Sequence, residues 1–262
     1  MANDILQLNR RAWDAQVEKH NRWTVPASPE EIEAARRNEW TIVLTPTKSV
    51  PRSWFPELRE TKVLCLASGG GQQGPILAAA GARVTVFDNS PKQLEQDRMV
   101  ADRDGLELET IQGHMGDLGV LDDGAFDLIV QPVSNSFIPN TRPVWSECAR
   151  VLRQGGELLA GFTNPVRYLF PYDLEHDSDL LCVAHSIPYS DLDALTEEEK
   201  EKFVQDGEPL EFSHTLADQI AGQLDAGFVL IGFYEDAYPP EEDVLSRFIP
   251  SFIATRARKE PS

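Results

Sequence analysis

Val63-Leu64-Cys65-Leu66-Ala67-Ser68-Gly69-Gly70-Gly71-Gln72-Gln73-Gly74 begins as an apolar strand and breaks into a glycine turn. A second apolar run, Val84-Thr85-Val86-Phe87, ends on an acid, Asp88. Strand, glycine turn and an acid about 20 residues further on make a nucleoside-binding unit, because glycines let the backbone approach a ligand and a carboxylate can take both hydroxyls of a ribose. Asp88 could instead cap the helix that starts after Ser90. A carboxylate at the end of a buried strand is costly unless something pairs with it, however, which favours the ribose reading.

Outward from this unit the chain alternates strand and helix with short connections, the pattern of a parallel sheet covered on both faces. Strands are predicted at residues 62–67, 83–88, 108–112, 126–130 and 156–162, and helices at 74–80, 91–103 and 143–152, with little helix expected at 117–124. Gly81 stops the first of these helices, Ser90-Pro91 starts the second, and Gly155-Gly156 ends the third. About fifty residues that fit no crossover follow the fifth strand. Then come a helix near 214–225 with Leu216, Ile220 and Leu224 on one face, a strand at 228–234, and a last strand at 251–257. The link at 235–250 carries no long helical pattern, so the last two strands should pair antiparallel. Upstream, residues 3–21 and 29–38 read as helices, the second capped by Ser28 with Pro29 in its first turn, and 41–56 as an irregular, partly extended segment.

The 262 residues suffice for one large α/β domain with an insertion. A formal charge of −19 disfavours binding to nucleic acid, whose affinity comes mostly from Lys and Arg, and points to a small-molecule partner. Residues 171–211 hold thirteen Asp or Glu against two Lys and so supply 11 of those 19 charges. Facing a substrate entrance, such a segment disfavours strongly anionic compounds. No stretch has the length of a membrane span or the form of a signal peptide, and Cys65, Cys148 and Cys182 lack metal-ligand spacing, so a cytoplasmic protein with reduced thiols, no metal and no membrane insertion is expected.

The glycine turn leaves the nucleoside open. Gly69 to Gly74 satisfies the G-x-G-x-x-G spacing of dinucleotide sites, where a pyrophosphate rests on free helix-terminal amides. S-adenosylmethionine carries no phosphate and needs a polar lining for its amino-acid end, an acid for its ribose and apolar walls for its adenine. Three features favour it: Gly113-His114-Met115-Gly116-Asp117-Leu118 after the third strand, Gln131-Pro132-Val133-Ser134-Asn135-Ser136-Phe137 after the fourth, and the antiparallel ending. An NAD(P)-dependent oxidoreductase and a noncatalytic cofactor-binding protein remain the alternatives.

Together with Thr45-Pro46, Phe126-Asp127-Leu128-Ile129, Arg150-Val151-Leu152-Arg153-Gln154-Gly155-Gly156 and Phe162-Thr163-Asn164-Pro165, these motifs make the chain resemble the class I S-adenosylmethionine-dependent methyltransferases, in particular a bacterial small-molecule group akin to the ubiquinone and menaquinone biosynthesis enzymes. The resemblance implies a Rossmann-like, doubly wound, seven-stranded sheet, mostly parallel with an antiparallel last strand and helices on both faces. It implies a core at 61–163 and 212–262, an N-terminal helical and irregular cover at 1–60, and an inserted substrate cap at 164–211. It also implies that Ala67, Ser68, Gly69, Gly70 and Gly71 lie beneath the methionine part, that Asp88 takes the ribose, and that Asn89, His114 and Met115 meet the adenine. Gln131, Pro132 and Val133 would meet the amino-acid end, with Trp13 closing over the cofactor and Asn135, Phe137, Asn164 and Tyr168 facing a small-molecule methyl acceptor. The chain departs from the family at Cys65, where an acid usually ends the first strand, at Ala67, where glycine is usual, and at His114, where Asp is common.

Methyl transfer from a sulfonium is an in-line displacement on an activated donor, so alignment and exclusion of water are the protein's main tasks. No acid–base pair is obligatory. For a phenol or amine acceptor a base can help, and the inserted segment offers His185, Tyr172 and His176.

Overall fold

In the first strand, β1 (Lys62–Leu66), successive side chains point to opposite faces of the sheet. Val63 and Cys65 enter one hydrophobic core and Leu64 and Leu66 the other. Such a strand is buried on both sides, which explains its unbroken apolar sequence. The computed structural model describes residues 2–171 and 181–260. Among these, β1 is joined by β2 (Arg83–Asp88), β3 (Leu108–Gln112), β4 (Phe126–Gln131), β5 (Leu152–Thr163), β6 (Phe228–Asp236) and β7 (Phe252–Lys259). They form one seven-stranded sheet in the order β3-β2-β1-β4-β5-β7-β6. The pairs from β3 through β5 are parallel, and β7 runs antiparallel to both of its neighbours, as the sequence predicts.

Helices α1 (Ala2–Glu18), α2 (Pro29–Arg36), α3 (Gln73–Ala79), α4 (Pro91–Asp104) and α5 (Arg142–Val151) precede β5. One core joins Leu77 of α3 and Leu94 of α4 to Trp40, Ile42, Leu44 and Trp54 of the irregular N-terminal segment. The other joins Val144, Trp145 and Cys148 of α5 to Met115, Leu118 and Phe228. Ser28 closes a capping box with Glu31 at the start of α2, and Ser90 caps α4 through the Gln93 amide. Between β5 and β6 lie α6 (Asp191–Ala194), α7 (Glu197–Gln205), a π-turn at Ala217–Ala221 and α8 (Gly222–Asp225).

Two local expectations are corrected. Gly155-Gly156 does not end a helix: α5 stops at Val151 and the chain passes directly into β5, with Gly155 at φ 72° in the strand's first half, where the β4–β5 register also shifts. The helix near 214–225 does not bury Leu216 and Leu224, which are exposed. It buries Gln219, Gly222 and Gln223 instead. A Cβ on Gly222 would lie 2.6 Å from the Trp145 ring, so only glycine admits that ring, and the Trp145 indole N–H donates to the Asp218 carbonyl at 2.8 Å. This contact turns the helix by its glycine face and leaves the leucines outside.

Candidate cofactor and acceptor site

All five parallel strands point their carboxyl ends at one edge of the sheet, where ligands lie in open α/β folds. At that edge β1 gives way to a turn with Ala67, Gly70 and Gly71 at φ 46°, 113° and 73°. A left-handed alanine costs about 1 kcal/mol. The turn keeps it because the Ala67 amide donates to the Phe87 carbonyl at 2.7 Å, tying the ends of β1 and β2 together.

Two carboxylates take the amides of the turn. Asp88 accepts from the Gly69 N–H at 3.0 Å and from the Ser90 N–H at 2.8 Å. Asp97, on α4 and wholly buried, accepts from the Gly70 N–H at 3.0 Å, and the Gly71 amide adds to the stabilisation of its anion. Burial nonetheless pushes both carboxyls above their ordinary range, Asp97 to about 8, with the Asp14 charge adding to the rise in Asp88 and the Asp88 charge to that in Asp97. The Gly69 and Gly70 amides, which a phosphate lying in the turn would need, are therefore engaged by carboxyl oxygens. S-adenosylmethionine, cationic at its sulfonium and ammonium groups, fits such a turn, and Asp88 keeps lone pairs for a diol.

A cavity of about 990 Å³ opens in front of the turn. Ala67, Ser68, Gly69, Asp88 and Asn89 line it, together with His114, Met115, Pro132, Val133 and Trp13. His114 is neutral, since burial lowers its pKa, and its Nδ1 accepts the Gly116 N–H at 2.9 Å, which leaves the proton on Nε2. Both polar atoms of the Asn89 side chain are taken by α1: Nδ2 donates to the Leu6 carbonyl at 3.0 Å and Oδ1 accepts from Arg10 Nε at 3.2 Å. Of the acceptor candidates, Phe137 and Tyr168 line the cavity.

Other candidates stand outside this wall. Gly70 and Gly71 are buried behind the turn against α4. Gln131 donates to Asn135 Oδ1 at 2.7 Å, Asn135 donates to Gln219 Oε1 at 2.9 Å, and this wholly enclosed pair braces the π-turn at Ala217–Ala221 against the sheet. Asn164 caps the short turn at Pro165–Leu169 and donates to the Pro250 carbonyl at 3.1 Å. His185 packs its ring against Tyr189, 5.0 Å between centroids, and does not line the cavity. Tyr172 and His176 lie outside the described residues.

The far half of the cavity holds groups absent from the sequence reading. Tyr168 donates its hydroxyl to Glu211 Oε2 at 2.6 Å beside the Ser136 and Thr163 hydroxyls, themselves 3.2 Å apart. Its ring stacks on Tyr189 at 5.4 Å, and Tyr189 donates to Asp191 Oδ1 at 2.7 Å. Asp191 accepts the Glu211 backbone N–H at 2.6 Å, so the two carboxylates share one corner. Burial raises both, and the Asp191 charge adds to the rise in Glu211. Thirteen acids in one segment gave no signal as to which two face inward, except that Glu211 sits between the buried Leu210 and Phe212.

The N-terminal helix covers this chamber. Asn9 of α1 donates to the carbonyls of Phe137 at 2.9 Å and Leu210 at 3.0 Å and accepts the Leu210 N–H at 2.8 Å, pinning the helix to both the core and the inserted segment. Trp13 meets Phe137 edge to face at 5.0 Å.

Residues 64–160 match the family described as a methyltransferase domain. A Bacillus subtilis (strain 168) protein named uncharacterized methyltransferase YbaJ is 52% identical over 98% of this chain and 99% of its own length. A ubiquinone biosynthesis O-methyltransferase from Xanthomonas euvesicatoria is 27% identical over 41% of this chain and 45% of its own, so the likeness to that group is distant and confined to part of the chain. The crystal structure of an S-adenosylmethionine-dependent methyltransferase from Mesorhizobium loti superposes with a TM-score of 0.60 at 17% identity, covering 79% of this chain and 94% of the other, which shows a shared fold.

Proposed function

Since the chain belongs to the class I S-adenosylmethionine-dependent methyltransferases, we propose that its cavity transfers the methyl group of S-adenosylmethionine to a small, neutral or cationic molecule held beside Tyr168 and Glu211. The observation that carries the cofactor half is that Asp88 and Asp97 occupy the Gly69 and Gly70 amides with their oxygens, which leaves those amides closed to a pyrophosphate and leaves Asp88 lone pairs for a ribose diol. The observation that carries the acceptor half is a chamber whose inner corner is formed by two carboxylates, Asp191 and Glu211, with aromatic walls.

In this reading Asp88 binds the ribose, His114 offers its Nε2 proton and Met115 an apolar surface to the adenine, and Pro132 and Val133 flank the amino-acid end. The bound cofactor supplies a methyl group on a sulfonium sulfur and needs no activation by the protein. The residues therefore orient the acceptor and keep the chamber dry: Trp13 and Phe137 close one side, and the described residues of 164–211 and of 1–60 form the cover. For an acceptor carrying an O–H or N–H, Glu211 accepts the proton directly or through the Tyr168 hydroxyl, because a carboxylate raised by burial is a better base than an exposed one.

Thermal unfolding with ligands tests the cofactor. S-adenosylhomocysteine at about 100 times its Kd should stabilise the protein by about 2.7 kcal/mol, while NAD(H) and NADP(H) leave it unchanged. Stabilisation by a nicotinamide dinucleotide alone would reject the proposal. Labelled methyl transfer to a panel of neutral, cationic and anionic small molecules tests catalysis and acceptor charge together, with products expected only from the first two sets.

A further inference from the structure

We infer that Asp97 is a positioning residue for the cofactor turn, reaching in from α4 to do the work of the strand-end acid that this chain replaces by Cys65. The inference rests on the S-adenosylmethionine reading of the same cavity.

The glycines of the turn press against α4. A Cβ at Gly69 would lie 2.7 Å from Gln93 Cβ, one at Gly70 2.8 Å from Gln93 Oε1, and one at Gly71 3.0 Å from the Gln96 carbonyl oxygen. At Gly69 and Gly71 the helix thus excludes a side chain, and its approach carries Asp97 under the turn. There the Asp97 carboxylate takes the Gly70 N–H at 3.0 Å while its other oxygen, Oδ1, has no partner. A buried acceptor left unsatisfied costs about 1–3 kcal/mol, so apolar packing would serve the helix better than this carboxylate does.

Space for Oδ1 exists because Gly74 has no side chain, since a Cβ there would sit 3.2 Å from it. Cys65, wholly buried in β1, lies close enough that the Asp97 charge adds to the burial that raises its thiol pKa. The carboxyl that takes the Gly70 amide thus comes from the helix and stands beside the strand position that Cys65 occupies.

Asp88 from β2, Cys65 from β1 and Arg98 from α4 are the titratable groups whose charge or burial is felt at Asp97. With its carboxyl pushed up to about 8 by burial, Asp97 is largely protonated in the free protein near neutral pH. The ammonium group, which S-adenosylhomocysteine shares with S-adenosylmethionine, favours the anion when it lies over the turn, so binding should tighten as pH rises through that value.

Calorimetry of S-adenosylhomocysteine binding tests this on the full chain at about pH 6.5 and about pH 8.5. The wild type should bind several-fold more tightly at the higher pH. Asp97→Asn, which keeps the shape and an acceptor for Gly70, should bind with an affinity that no longer rises with pH. Asp97→Ala should bind about tenfold more weakly, and Cys65→Asp combined with Asp97→Ala should recover most of that loss. If Asp97→Asn binds as the wild type does with the same pH profile, the positioning role is overturned, whether or not the alanine variant folds. A folded double variant that recovers nothing overturns the replacement of the strand-end acid. A wild type that does not bind S-adenosylhomocysteine at all overturns instead the cofactor reading beneath.

Discussion

Asp88 has two tasks that pull in one direction. Its oxygens hold the Gly69 and Ser90 amides, fixing the turn and the start of α4, and in the proposed function the same carboxyl meets the ribose. Hydrogen bonds to a charged group are worth about 1.5–3 kcal/mol, so Asp88→Ala should weaken S-adenosylhomocysteine binding by about tenfold to 100-fold. The same change strands two buried donors and should lower stability by about 1–3 kcal/mol, measured by denaturant unfolding. Unaltered affinity in a folded Asp88→Ala protein would remove the ribose contact. Asp88 was legible because a strand-terminal acid after a glycine turn has few other uses. Asp97 was not, because one acid among the charged residues of an amphipathic helix carries no mark of burial, and only the close approach of α4 to three glycines puts it inside.

At the scale of elements, short-range chemistry was readable wherever one residue's conformation decides the outcome. Ser28-Pro29 and Ser90-Pro91 start α2 and α4 as expected, and Gly81 follows α3. The helix near 214–225 misled because apolar spacing assigns its buried face, whereas contact with Trp145 and the buried amides Gln219 and Gln223 fixes it otherwise. Gln223 accepts from Thr255 Oγ1 at 3.1 Å, so this polar face is satisfied by β7, an element remote in sequence. The attachment of α1 is similarly remote and rests on Asn9, which is 3% exposed. Asn9→Ala removes three hydrogen bonds and leaves the Leu210 amide unpaired, so it should cost about 1–3 kcal/mol. Because α1 covers the chamber, S-adenosylhomocysteine should also leave this variant faster in stopped-flow measurements, and an unchanged release rate would mean that α1 does not retain the cofactor.

For the whole molecule the excess of acids turns into a pH dependence of known sign. Asp88, Asp97, Asp191 and Glu211 have folded-state pKa values above those of the unfolded chain, so the folded protein holds protons that the unfolded one releases. Their contribution is fully present below the ordinary carboxylate range and is lost as pH rises towards the folded value, which for Asp97 is about 8. Asp127, Glu147, Asp218 and Asp236 are shifted down and lose their contribution only in acid below that range, so they do not compensate near neutrality. His114 and His214, whose pKa values burial lowers, act in the opposite sense up to about pH 7. The melting temperature of the ligand-free protein should therefore fall between about pH 7 and pH 8, and a flat or rising profile there in calorimetric scans would show these carboxyls to be charged throughout. The sequence alone determined the alternation of strand and helix, the antiparallel ending, the glycine turn and Asp88, because periodicity, backbone freedom and the cost of a buried charge all act within a few neighbouring residues. Only the tertiary structure decided that Asp97 serves the turn, that Asn9 holds the cover, and that Glu211 and Asp191 form the inner corner of the chamber. Each of those depends on which distant segment packs against it, and burial rather than residue type gives a carboxylate its chemistry.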